Sequence, residues 1–147
     1  MRIKTGQFAG MTTEEVLLKR PDWALWMMRR FPDSAIGKAF HDLIEELDAI
    51  PFTEQCKICG EAARRATAFR GVSRNLTFWC DECKSYESDA LRGDVTVIET
   101  FEDALSHVNW QCDGRRSELR AIIRALARGK GLPKRVGETQ AVEFFNS

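Results

Sequence analysis

The pattern that most restricts how this chain can fold is a pair of Cys-x-x-Cys motifs near the middle of its 147 residues. The first motif contains Cys56 and Cys59, the second contains Cys80 and Cys83, and twenty residues separate the two motifs. Four thiolates at this spacing can surround one ion as a tetrahedron, which is typical of four-cysteine zinc sites. We therefore predict one structural Zn²⁺ ion bound by these four cysteines.

Other uses of the cysteines and histidines remain open from the sequence alone. A redox-active Cys-x-x-Cys needs a thioredoxin-like βαβ setting, and a second motif of this kind would be redundant. A catalytic zinc usually keeps three protein ligands and one water, whereas four thiolates leave no open position. His107 is a possible substitute ligand, and we expect the unpaired Cys112 to be a small buried hydrophobe. The structural zinc site is the favoured interpretation.

The segment between the motifs predicts a small antiparallel sheet. Extended runs are expected near Arg65–Phe69 and Leu76–Trp79, with a turn between them, and Gly60 suits the positive φ of a tight metal-binding turn. Residues 54–85 therefore resemble a four-cysteine zinc ribbon. The β-branched stretch DVTVIET that follows predicts a strand that extends this sheet or covers its edge, so we assign residues 53–99 to the ribbon.

Residues 1–52 predict a compact helical block that follows a short glycine-framed hairpin. Thr12 and Ser34 are expected to be the N-caps of helices, and Asp22 is expected to cap the helix between them. Pro21, Pro32 and Pro51 bound these helices. We predict that the aromatic side chains of this block, Trp23 and Trp26 among them, mainly build its core.

This block carries a resemblance to a known family. The stretch IKTGQFAGMTTEEVLLKRPDWALWMMRRF, residues 3–31, resembles the small domain at the C-terminal end of exodeoxyribonuclease X-type proteins. Gln7 and Ala9 depart from the family pattern, which has basic residues at these two positions. The resemblance implies an association with nucleic-acid metabolism without exonuclease activity, because the nuclease chemistry belongs to a separate catalytic domain. The matching positions are Gly6, Phe8, Gly10, Glu15, Val16, Asp22, Trp23 and Trp26.

Residues 100–147 predict a helical segment with a strong local charge. The formal net charge of the chain is +0, but residues 115–135 contain eight basic residues and one acidic residue. Arginines recur every four residues along one predicted helix, and basic runs of this kind contact nucleic acid, contact protein or face solvent. We predict phosphate contacts from the ribbon and from this segment. The residues are Arg64, Arg65, Arg70, Arg74, Arg116, Arg120, Arg124, Arg128, Lys130, Lys134 and Arg135.

These patterns together predict an α+β protein made of a helical block with an N-terminal hairpin, a zinc ribbon and a helical C-terminal segment. The favoured function is that of a zinc-ribbon, non-catalytic accessory protein that binds nucleic acid, with DNA as the favoured partner. The alternative is an adaptor that docks a larger nuclease, phage or mobile-element complex. We find no catalytic constellation, no small-molecule substrate and no membrane-spanning apolar run, and we expect a cytoplasmic protein.

Overall fold

The computed structural model describes residues 1–146 and confirms the α+β class, with seven helices and one three-stranded antiparallel sheet in that range. The helices are α1 (Thr13–Lys19), α2 (Pro21–Arg30), α3 (Ala35–Ala49), α4 (Glu87–Leu91), α5 (Phe101–Gln111), α6 (Arg116–Gly129) and α7 (Glu138–Asn146). The strands are β1 (Arg65–Phe69), β2 (Thr77–Trp79) and β3 (Val95–Ile98).

Two of the predicted N-caps in the N-terminal block are confirmed. The Thr12 hydroxyl accepts a hydrogen bond from the Glu15 N–H at 3.2 Å, and the Ser34 hydroxyl accepts one from the Gly37 N–H at 3.0 Å. Each cap satisfies one of the N–H groups that lack a partner in the first turn of a helix. These caps fix where α1 and α3 begin.

The cap predicted at Asp22 is wrong. Helix α2 begins two residues earlier than predicted, at Pro21, and its N-cap is Arg20, which makes no capping hydrogen bond with its side chain. Proline suits the first position of a helix, because its fixed φ is helical and its missing N–H would have no partner there. Asp22 therefore lies inside the first turn, where its carboxylate is free to bind arginines.

The sheet has the strand order β2-β1-β3, and both pairings are antiparallel. Arg65 lies opposite Trp79, and Phe69 lies opposite Val95. The strand that follows the ribbon thus extends its sheet, along the edge of β1 that β2 leaves free. The short helix α4, which connects the ribbon to β3, had no clear signal in the sequence.

The C-terminal segment contains three helices. Thr100 and Asp103 form a full capping box at the start of α5. Helix α5 continues to Gln111. Helix α6 ends at Gly129, and Gly131 follows with a φ of +108°, a conformation that suits glycine after a helix.

One hydrophobic core contains residues from all three predicted segments. Leu17 and Leu47 come from residues 1–52, Ala66 and Ile98 from residues 53–99, and Ile122 from residues 100–147, and each is at most 1% exposed. Among residues 1–146, no helix combines the length and the apolar character needed to cross a membrane.

The ribbon and the C-terminal segment also touch at one close contact. A Cβ atom at Gly129 would lie 2.6 Å from the Phe78 ring, so only glycine allows α6 to approach β2 this closely. The Thr53 N–H also donates to the Gly129 carbonyl at 2.8 Å. The segment that carries the two cysteine pairs is therefore anchored directly to the end of α6.

Candidate metal centre and cationic groove

The four predicted zinc ligands lie together. The sulfurs of Cys56, Cys59, Cys80 and Cys83 are all within 4.8 Å of one another, and the Cys59 and Cys80 sulfurs are 3.5 Å apart. A tetrahedral zinc with Zn–S bonds of about 2.3 Å separates its sulfurs by about 3.8 Å. The spacing and the chemistry of these donors therefore fit one zinc ion with four thiolate ligands.

Backbone hydrogen bonds hold the two metal-binding turns in place. The Cys56 N–H donates to the Glu61 carbonyl at 2.7 Å, and the Gly60 N–H donates to the Cys56 carbonyl at 3.0 Å. Gly60 has a φ of +77°, as predicted for this turn. In the second turn, the Cys83 N–H points at the Cys80 sulfur at 3.4 Å. These bonds fix the backbone of both turns and so the positions of the thiols.

The thiols differ in how readily they ionise. N–H groups, that of Cys59 first, stabilise the Cys56 thiolate and lower its pKa to about 6, against the opposing effect of burial. Hydrogen bonding to Cys80 and Cys59 raises the pKa of Cys83 to about 12. A cation at the centre of the group would favour ionisation of all four thiols, so metal binding must release protons.

A small apolar cluster supports the metal centre from the sheet. Trp79, which precedes Cys80, is 8% exposed and packs against Tyr86 with ring centroids 5.1 Å apart. The indole N–H of Trp79 donates to the Thr67 hydroxyl at 2.9 Å. This cluster is too small to be a core by itself, which agrees with a metal that contributes to the folding of the ribbon.

The ribbon arginines that were predicted to bind nucleic acid mostly contact their own ribbon. Arg65 donates to Asp81 at 2.6 Å and to the Tyr86 hydroxyl at 3.3 Å. Arg64 lies 3.8 Å from Asp81, and Arg70 donates to the Gly93 carbonyl at 3.0 Å. These contacts use the arginine side chains to hold the second turn and the edge of the sheet.

Arg74 lies in the β1–β2 loop, which reaches the start of α6. The Ser73 hydroxyl donates to the Glu118 carboxylate, and the Val72 carbonyl lies 2.8 Å from His107 Nε2. Arg74 is exposed beside this contact. Its neighbour across the contact is the N-terminal turn of α6, which contains Arg116. The ribbon and the arginine helix therefore meet at this end of α6.

The arginines of α6 fall into different environments. Arg116 and Arg128 are exposed, whereas Arg120 binds Asp22 through two hydrogen bonds of 3.0 Å. Arg124 is half-buried against α1, where its Nε lies 3.5 Å from the Leu18 carbonyl. At about 100° per residue, the line of arginines turns by about 120° between its two ends, so these ends face different directions.

Lys130 does not belong to a surface. Its side chain is buried, and its ammonium donates to the Leu47 carbonyl at 2.7 Å and to the Asp48 carbonyl at 3.4 Å. It also lies 5.2 Å from the centre of the Phe52 ring. A phosphate cannot reach this ammonium in the folded protein, so the predicted contact at Lys130 is not supported. Lys134 and Arg135, in the loop that follows, are exposed.

A groove of about 490 Å³ lies between α2, α5 and the start of α6. Three arginines and one carboxylate are among its lining residues, and the carboxylate is Asp22. Burial disfavours the ionised form of Asp22, but hydrogen bonds from Arg120 and Arg20 outweigh burial and hold its pKa well below the usual range. The groove therefore keeps a positive charge. Its other lining residues include Gln7, Trp23, Trp26, Arg29, Leu105, Asn109, Arg116 and Leu119.

The position of Trp26 corrects the prediction that both tryptophans are buried. Trp23 is half-buried and packs against the core between Phe8 and Phe40, at ring distances of 4.8 and 6.0 Å. Trp26 is 52% exposed at the groove, and its ring meets Phe31 edge-on at 5.9 Å. Trp26 lies about 60° further around the axis of α2 than Trp23, and this rotation takes its ring away from the core while both residues still line the groove.

Sequence reasoning missed several residues of the groove. Arg20, Arg29 and Asn109 were not among the candidate site residues, although all three line it. Arg29 follows Trp26 by three residues on α2, so the spacing that brings an aromatic ring and a cation onto one helix face was visible in the sequence. The contribution of Asn109 from α5 depends on tertiary packing, which no local pattern encodes.

The remaining cysteine and histidines have ordinary structural roles. Cys112 is buried at the end of α5, as predicted, and burial raises the pKa of its thiol. His107 is buried, and its two ring nitrogens face the Thr96 hydroxyl and the Val72 carbonyl. His107 does not belong to the group of four thiols, so it is not a substitute ligand. His41 lies with Asp42 and Glu45 on a fully exposed face of α3.

Comparison of the chain with protein-family models, with curated proteins and with solved structures found no match in any of the three. The interpretation of the site therefore depends on the residues themselves.

Proposed function

We propose that this is a zinc-stabilised, non-catalytic protein that binds nucleic acid, with phosphates held by arginines around the groove at the start of α6. The observation that carries the proposal is that Arg29 and Arg116 both line this groove. Within residues 1–146, neither arginine has an ion pair with a carboxylate, so both guanidinium groups are available to an anion. The resemblance of residues 3–31 to a domain of exodeoxyribonuclease X-type proteins supports the same function.

The zinc ion has a structural role in this proposal. Four thiolates close its coordination and leave no position for a substrate, so the ion would stabilise the ribbon without taking part in a reaction. The ribbon in turn brings the β1–β2 loop, with Arg74, to the start of α6 through the contact between Ser73 and Glu118. Arg74 therefore extends the cationic surface beside the groove.

The alternative function, an adaptor that docks a larger protein complex, is favoured by a different observation. Several large apolar side chains lie on the surface: Leu91 is 90% exposed, Trp110 is 85% exposed and Phe69 is 59% exposed. Exposed aromatic residues are enriched at protein interfaces. An adaptor would require these side chains for binding and would not require the arginines of the groove.

Binding of labelled oligonucleotides to the zinc-loaded protein tests the proposal. Fluorescence anisotropy would be measured with single-stranded DNA, double-stranded DNA and RNA at several salt concentrations. We expect affinity to fall as salt rises, because each neutralised phosphate releases counterions. Arg116→Glu should weaken binding and reduce the salt slope by about 0.7 for a single strand. Arg29→Glu should have the same effect.

Lys38→Glu is the matched control, because it makes the same charge change on an exposed part of α3 outside the groove. It should leave the affinity within about twofold, since Lys38 does not line the groove and salt screens exposed charges. The Arg116→Glu protein should fold normally, because an acidic residue suits the first turn of a helix. Absence of binding to every nucleic acid would reject the proposal in favour of the adaptor.

A further inference from the structure

We infer that the ligand of this groove is an unpaired nucleotide of a single strand, whose base stacks on Trp26 while its phosphates contact Arg29 and Arg116. This inference rests on the proposed function and specifies which form of nucleic acid the groove accepts. Its first support is the shape of the site. A groove of about 490 Å³ is in the size range of small-ligand pockets. The backbone of a duplex would touch only its rim, whereas one unstacked base can enter it.

The second support is the apolar wall beside the cations. Trp26 is half-exposed, and its edge contact with Phe31 restricts the rotation of the indole ring. Leu105 and Leu119 line the groove as well. An exposed aromatic ring next to arginines is the usual combination in single-strand binding, because each base has a face for stacking and each linkage has a negative charge.

The third support is the charge of the groove. Asp22 is the carboxylate of the lining, and hydrogen bonds from Arg20 and Arg120 occupy both of its oxygens. The repulsion that a free carboxylate would exert on a phosphate is therefore reduced. Arg29 and Arg116 keep their guanidinium groups free and approach the groove from different helices, α2 and α6. We expect the phosphates of one strand to contact both guanidinium groups along the groove.

The fourth support is a pair of amide side chains in the lining. Gln7 comes from the N-terminal loop and Asn109 from the end of α5. Neither side chain has a hydrogen bond within the part of the chain that the structure describes. Each amide offers both a donor and an acceptor, as the edge of a base does.

The experiment compares three probes of equal length and label on the zinc-loaded protein. They are a single-stranded oligonucleotide, the same strand made entirely of abasic sites, and the corresponding duplex. We expect the single strand to bind about 5- to 100-fold more tightly than the abasic strand, as stacking of one base predicts. Binding of the duplex should not depend on Trp26, because its bases are not available for stacking.

Trp26→Ala tests the residue that carries the inference. It should weaken binding of the single strand by about 5- to 100-fold and leave binding of the abasic strand unchanged, and Trp26→Phe should restore part of the loss. Phe69→Ala is the matched control, because it removes an exposed ring from β1, outside the groove. Far-ultraviolet circular dichroism and zinc content would verify that each variant is folded.

The outcomes separate this inference from the proposed function. Equal affinity for the single strand and the abasic strand, with both dependent on Arg116, would overturn the stacking and leave the phosphate contacts in place. Competition by polyglutamate as strong as that by the single strand would mean that the groove reads charge alone, which also overturns it. A lack of binding to every probe would reject both.

Discussion

At the residue scale, Asp22 joins two arginines from distant parts of the chain. Its carboxylate accepts hydrogen bonds from Arg20 and from Arg120, and its side chain is 8% exposed. Asp22→Asn keeps the shape and removes the charge. We expect the free energy of unfolding at pH 7 to fall by about 1–2 kcal/mol. A value at the lower end of this range is expected, because Arg120 is partly solvated and water weakens its ion pair with Asp22. Urea denaturation followed by circular dichroism measures this change.

The effect of pH on the stabilisation by Asp22 follows from the direction in which its pKa is shifted. The folded state holds the pKa of Asp22 below that of the unfolded chain, which is about 3.9. The stabilisation is therefore present above about pH 4 and is lost as the pH falls through the folded pKa. The difference in the free energy of unfolding between wild type and Asp22→Asn should stay constant from pH 7 to 5 and become smaller below pH 4. Asp33→Asn, at an exposed acid, is the control, and a difference that widens on acidification would contradict the assignment.

At the scale of the elements, we expect the ribbon to depend on a bound zinc ion more than the helices do. We expect one zinc ion per chain, measured by inductively coupled plasma mass spectrometry, and its loss in Cys83→Ser. Cys112→Ala should keep the ion, because this cysteine is buried away from the four ligands. On chelation, hydrogen exchange should speed up in the two metal-binding turns and leave α1 and α3 protected, since no ligand lies in those helices.

The affinity for zinc should also depend on pH. Zinc competes with protons for the thiolates, so the apparent affinity should fall as the pH falls. Binding of one zinc should therefore release protons, and a titration in two buffers of different ionisation enthalpy would count them. A stoichiometry other than one, or retention of zinc by Cys83→Ser, would contradict a four-cysteine site.

Local patterns predicted the elements better than they predicted the groove. The metal ligands, β1 and the caps at Thr12 and Ser34 depend on spacings of a few residues, which a sequence states directly. The groove combines Gln7, Trp26 and Arg116, which only tertiary packing brings together. Tertiary packing also explains why the prediction for Lys130 failed. Its position in a basic run suggested an exposed side chain, whereas the end of α3 covers it.

At the scale of the whole molecule, Lys130 joins helices that are far apart in the chain. Its ammonium donates to carbonyl groups at the end of α3, and Asp48 in that turn accepts a hydrogen bond from the Phe101 N–H at 2.8 Å, at the start of α5. Burial lowers the pKa of Lys130, and Asp48 opposes this shift. The cation also suits the negative end of the α3 dipole. One side chain therefore links the N-terminal block to the C-terminal segment.

Lys130→Met tests this link, because methionine fills similar space and cannot donate. The carbonyl groups of Leu47 and Asp48 would lose this donor, so we expect the free energy of unfolding to fall by about 1–3 kcal/mol. Lys134→Met makes the same change at an exposed position and should alter it by less than about 0.5 kcal/mol. Urea denaturation of both variants measures the two effects.

Oligonucleotide binding by the same two variants separates structure from recognition. If Lys130 is structural, the folded Lys130→Met protein should bind a single strand as tightly as wild type does. Its loss of stability would then appear without a loss of affinity, because its ammonium is not at the surface. A variant as stable as wild type but weaker in binding would mean that the ammonium leaves the end of α3 to meet a phosphate. The cationic surface would then include the loop after α6 as well as the groove at its start.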